Sequence, residues 1–193
     1  MTSSELLLGL GLGVGLSAAC GFRVFVPLLL AALAHRIGWL PLGEGFAWLG
    51  SGPALTALVI ATVLEVGAYY VPWLDNALDG LAAPAAVAAG TVLTAAQLTE
   101  LDPLLKWAMA LVAGGGTAGL FQGLTTAARG VSTTTTGGLA NPLFATFELG
   151  GSLVTTLLAL LLPVALLALF VAALLCLLVW VLKRRARQAP SPA

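Results

Sequence analysis

The sequence predicts an all-α integral membrane protein with about six transmembrane helices, and three observations predict it. Of 193 residues, 60% are hydrophobic and only 8% charged, with a mean hydropathy of +1.05; an ordinary soluble domain is about 25% charged. The apolar residues fall in runs of roughly 20 or more, long enough to cross a hydrocarbon core of about 30 Å. Between them lie short stretches rich in Gly, Pro, Trp and charge, the composition of turns and headgroup-level anchors. Residues 1–182 read as one membrane domain, with halves 1–98 and 99–182, and 183–193 as a basic cytoplasmic tail. No room is left for a water-soluble enzymatic domain.

The first apolar run, Leu6 to Ala34, is about 43 Å long as a helix and has to tilt, kink or break. Pro27 is the expected kink, since it removes a backbone donor. Gly9 with Gly13 and Gly11 with Gly15 form small-xxx-small pairs suited to close helix approach. A turn-rich loop with His35, Arg36, Trp39 and Trp48 follows, then a second span from Pro53 to Val71, stopped by Pro72. A third, small-residue span reaches Gln97. Asp102–Pro103 supplies a cap and first-turn pair for a fourth that ends near Arg129. VSTTTTGGLANP is too polar to face lipid and reads as an unwound segment or a loop, with Asn141–Pro142 repeating the cap signal. Leu143 to Leu182 is long enough for two spans, divided at Pro163.

Topology follows from charge. Four of the eight basic residues, Lys183, Arg184, Arg185 and Arg187, crowd the C-terminus, which the positive-inside rule places in the cytoplasm of a bacterial inner membrane. Six spans then put the N-terminus and Arg129 on that side too. Trp39, Trp48 and Trp107 fall at the outer interface, Trp73 and Trp180 at the inner one. AACGFRVF (18–25) aligns weakly with TAGLFQGL (117–124), and LEVG around Glu65 with FELG around Glu148. Three spans per half make this an inverted repeat of the kind found in secondary transporters.

Arg23 is the sharpest feature. A guanidinium at bilayer depth costs about 2.5–3.5 kcal/mol on insertion scales, so it should face a cavity or a carboxylate. Glu65 and Glu148 are its expected partners, and Gln122, opposite Arg23 in the repeat, a pore-lining candidate. Asp75 and Asp79 share a helix face beside Asn76: Asp75 reads as a cap, Asp79 as an ion ligand or a charge that strengthens the helix's positive end. Asn141 joins the candidate binding set. Cys20 and Cys176 read as free packing thiols. No metal-spaced His/Cys cluster, nucleophile elbow or phosphate loop is present, so no enzyme, cofactor, metal or nucleic-acid partner is expected.

GFRVFVPLL, FAWLGS, the glutamate before VPWLDNALD, and TTTTGGLANP with Glu148 behind it resemble, from Gly9 to about Pro163, a bacterial membrane family known as domain of unknown function 4126. The resemblance implies a multi-span domain and nominates Arg23, Glu65, Asp75, Asn76, Asp79, Asn141 and Glu148; it implies no substrate. One departure is VGAYYVP after Glu65, where a further acidic residue is expected and Tyr69 and Tyr70 stand instead, which argues against a carboxylate cation site there. The expected function is a small permease for a polar or anionic solute or ion, proton-coupled through buried glutamates. Two other classes compete: a non-transporting scaffold, homodimeric through the glycine faces, and a lipid-handling protein that contacts phosphate headgroups.

Overall fold

A computed structural model describes residues 2–188, except for the side chains of 72, 73, 75–77, 79 and 185–188. It is a bundle of eight α-helices with no strand among the described residues. They are α1 (Ser3–Cys20), α2 (Phe25–Arg36), α3 (Gly52–Ala68), α4 (Pro72–Gln97), α5 (Pro103–Met109), α6 (Gly116–Thr136), α7 (Asn141–Leu161) and α8 (Pro163–Gln188). A 3-10 turn, Glu44–Gly50, precedes α3, and a π-helical stretch, Ala110–Gly115, joins α5 to α6. Five segments are long and apolar enough to cross a bilayer: Ser3–Cys20, Gly80–Gln97, Pro103–Thr136, Asn141–Leu161 and Pro163–Arg184. The 3-10 turn and α3, bent by 63° at their junction, form a sixth candidate, as a broken span or a re-entrant segment. The protein is therefore a multi-pass helical membrane protein.

The long first run is not one kinked helix. It breaks at Gly21–Val24, and Pro27 lies in the first turn of α2, where a missing N–H leaves no helical bond unmade. The two helices fold back as a hairpin. Gly43, just after α2, donates its N–H to Ala96 O at 2.9 Å, and Glu5, Leu8 and Gly9 of α1 share a cleft there with Pro41, Gln97 and Thr99. The entry of α1 and the exit of α2 thus lie at the same end of the bundle.

α1 is the central helix, buried almost continuously from Gly9 to Cys20. Its glycines bring other helices close: an added Cβ at Gly13 would stand 2.8 Å from Thr94 Cγ2, and one at Gly15 2.7 Å from Ala159 Cβ. A Cβ on Gly11 would meet the Pro163 carbonyl at 2.6 Å. Gly11, Gly13 and Gly15 are thus used for packing within the chain. Ser17 Oγ donates to Gly90 O at 2.8 Å and lies 2.9 Å from Thr94 Oγ1, locking α1 to α4.

Several expected ends hold. Asp102 Oδ1 accepts from Leu104 N at 3.0 Å, Pro103 opens α5, and Pro163 opens α8. The fourth span, by contrast, runs past Arg129 to Thr136. The threonines of STTTT are helical, neither unwound nor a loop, and their hydroxyls are satisfied inside the helix, where Thr134, Thr135 and Thr136 donate back to Val131 or Ser132 carbonyls. The chain turns only at Gly137 and Gly138, whose φ values of 65° and 86° suit glycine.

Candidate functional site

The hairpin tip leaves backbone groups exposed at bilayer depth, where each needs a partner inside the protein. Three helices supply them. Glu65 of α3 accepts from Val24 N at 2.7 Å and Phe25 N at 3.0 Å, a carboxylate cap on the positive end of α2. Ser152 of α7 donates to Ala19 O at 3.1 Å. Thr125 of α6 donates to Gly21 O at 3.4 Å. Gly21 is required here, since a Cβ would stand 2.4 Å from Phe121 Cβ and 2.7 Å from Ala118 O.

From this tip Arg23 reaches into the bundle and is 2% exposed. Its Nη2 donates to Ala145 O at 3.0 Å and pairs with Glu148 Oε2 at 3.3 Å. Glu148 is shared: Arg129 Nε donates to its Oε1 at 2.8 Å, and Arg129 Nη2 bonds its Oε2, the two-point geometry that guanidinium and carboxylate favour. Tyr69, at the end of α3, completes the cluster. The Arg23 and Arg129 guanidinium carbons lie 3.8 and 4.2 Å from its ring centroid, close enough for cation–π attraction. Glu148 and the Tyr69 ring thus each serve both buried guanidiniums.

The expected partnership of Arg23 with both glutamates is corrected in one limb. Glu148 is the ion partner, while the hydrogen bonds of Glu65 go to the α2 backbone. Gln122 is buried beside the tip, but its Nε2 donates to Thr126 Oγ1 at 3.2 Å. Asn141 is the first residue of α7 instead of its cap, and its Nδ2 donates to Thr133 Oγ1 at 3.2 Å, tying α7 to α6. The side chains of Asp75, Asn76 and Asp79 lie outside the described residues. The stretches aligned as a repeat touch, with Phe22 and Phe121 rings 5.4 Å apart. They differ in form, since 18–25 straddles the break and 117–124 is continuous helix.

Sequence reasoning kept Arg129 out of the cluster, noted Ser132 only as one hydroxyl of the STTTT stretch, and gave Tyr69 no role. Arg129 was expected at the inner interface; at 4% exposed it is in the core. The signal was available: Gln122, Thr126, Arg129, Thr133 and Thr136 recur at helical spacing, a polar stripe that bilayer would not tolerate facing outward.

Fold and site together define a polytopic helical membrane protein with an arginine–glutamate–arginine cluster at the tip of a helical hairpin. Residues 10–184 match the family described as Domain of unknown function (DUF4126), and the chain belongs to that family. The match extends the resemblance into α8. No curated protein and no solved structure matches the chain.

Proposed function

We propose that this protein is a small permease for an anionic or polar solute, bound at Arg23 with Glu148 as its proton-responsive counter-ion. The observation that carries the reading is the state of Arg23. It is almost fully buried, yet Nε and Nη1 meet no hydrogen-bond acceptor among the described residues. Buried donors without acceptors are costly, more so on a charged group, so donors left over at a site mark a place for an oxygen-bearing or halide ligand.

Glu148 couples the site to protons by charge balance. Ionised, it is one negative charge against Arg23 and Arg129. Protonated, it loses its hold on both guanidiniums, and the site gains one positive charge that an incoming monoanion restores. Proton and anion occupancy then rise together, as in symport. Glu65, anchored on the backbone of α2, keeps the tip in position. The clustered Lys183, Arg184, Arg185 and Arg187 support a cytoplasmic C-terminal tail on a bacterial inner membrane in this reading.

Efflux of chloride, nitrate, phosphate and acetate from proteoliposomes under an imposed pH gradient tests this. At least one anion should move with wild-type protein, with gradient dependence lost in Glu148→Gln and transport lost in Arg23→Gln. Full, proton-coupled flux in Glu65→Gln and Glu148→Gln alike removes both proposed roles. A non-transporting scaffold predicts no flux of any anion and altered stability alone.

A further inference from the structure

Neighbour pairs along α1 fix the depth of the hairpin tip. Ser17 meets Gly90 and Thr94, and Gly13 meets Thr94, so α1 runs antiparallel to α4 and Cys20 comes level with the middle of that helix. On α7, Ser152 stands beside Ala19 and Ala159 beside Gly15, again antiparallel. α1 therefore descends about half the length of α4, and α2 brings the chain back to the end where Gly43 bonds Ala96. From there α3 descends to the tip, where Glu65 and Tyr69 meet it, α4 returns to the open end at Gln97, and α5–α6, α7 and α8 then cross the bundle alternately, three passes in all. An odd number of crossings separates the termini.

Charge and polarity divide the same way. At the hairpin's open end the chain carries Glu5, Glu44, Glu100 and Asp102 against Arg36 and Lys106, an acidic excess; the basic tail follows α8 at the other end. Between Arg23 and the open end lie the buried apolar Leu16, Ala18, Ala31, Ala34 and Leu93, and the buried hydroxyls among them, Ser17, Thr94, Ser152 and Thr156, are all hydrogen-bonded within the bundle. Towards the tail end the core is polar. Beyond Arg129 come Ser132, 4% exposed with its Oγ meeting no hydrogen-bond partner among the described residues, then Thr133 with Asn141, and the Gly137–Gly138 turn.

We infer that α1–α2 is a re-entrant hairpin and not a span, that the two chain termini face opposite compartments, and that solute reaches Arg23 from the tail side along Ser132. The loading route rests on the permease reading; the hairpin does not. It replaces the six-span topology expected from hydropathy, since a run that turns back at mid-depth is as apolar as one that crosses.

Single cysteines at Ser3, Gly45, Leu139 and Ser132, in a Cys20→Ala, Cys176→Ala background that retains its detergent-solubilised elution profile, decide it. Right-side-out and inverted vesicles are treated with a membrane-impermeant maleimide, and with a small anionic methanethiosulfonate for Ser132→Cys. Ser3→Cys and Gly45→Cys should label from one side, Leu139→Cys and Ser132→Cys from the other. Labelling of Ser3→Cys and Leu139→Cys from the same side overturns the hairpin. Reaction of Ser132→Cys from the Ser3 side, or from neither side, overturns the loading route. A correct pattern with no anion flux removes the permease and leaves the hairpin, and flux with the wrong pattern does the reverse.

Discussion

Glu65 and Glu148 stand in similar local sequence, LEVG and FELG, and meet opposite kinds of partner. Glu65 receives two backbone N–H groups of α2, partial charges fixed in direction by the helix. Glu148 faces two guanidiniums, whole charges on long side chains that can be released and re-paired. The difference teaches how a bundle in lipid uses acid. One carboxylate fixes a break in the backbone. The other holds mobile charge, and only the second is suited to exchange its partners for a ligand.

The comparison is broken most directly at Glu148. Glu148→Ala removes the carboxylate that two buried guanidiniums share and should destabilise by about 3–5 kcal/mol, the usual cost of removing one member of a buried pair, read from reversible unfolding in mixed micelles. Adding Arg129→Met to it should recover part of that loss; strict additivity would mean that the two side chains do not interact.

Glu65→Gln comes next. The amide keeps one acceptor oxygen but turns an NH2 towards a backbone donor, and about 1–3 kcal/mol should be lost. If the loss equals that of Glu148→Ala, the distinction between cap and counter-ion disappears.

Tyr69→Leu should cost less, about 0.5–2 kcal/mol for the lost cation–π contacts, and the effect should shrink in the Arg129→Met background. At the small end lies Gly67 of α3, where an added Cβ meets nothing within 4 Å. Gly67→Ala should stabilise by about 0.5–1 kcal/mol and leave both glutamates in place. A clear destabilisation there would show that α3 packs more tightly behind Glu65 than its open face indicates.

Much of this architecture was written in local chemistry. Apolar run length and the Asp102–Pro103 and Pro163 signals located helices and their ends, because capping and the missing proline N–H act within one turn. Arg23 declared itself as a buried charge in need of a partner for the same reason: its cost in lipid belongs to the residue. The partner itself was not legible. Arg129 and Glu148 are 19 positions apart and Arg23 and Ala145 122 apart, separations at which no local pattern survives.

By itself the sequence determined the membrane class, the helix ends marked by Gln97, Asp102–Pro103 and Pro163, and the fact that a guanidinium had to be accommodated inside the bundle. The tertiary structure alone decided that the first apolar run folds back at Gly21–Val24, that Glu65 serves backbone while Glu148 serves charge, and that a second arginine stands on the same tyrosine. The physical reason is that hydropathy measures what each residue avoids and says nothing of what it meets. In a bilayer every polar group must find its partner within the protein, and that choice is made by helices far apart in the chain.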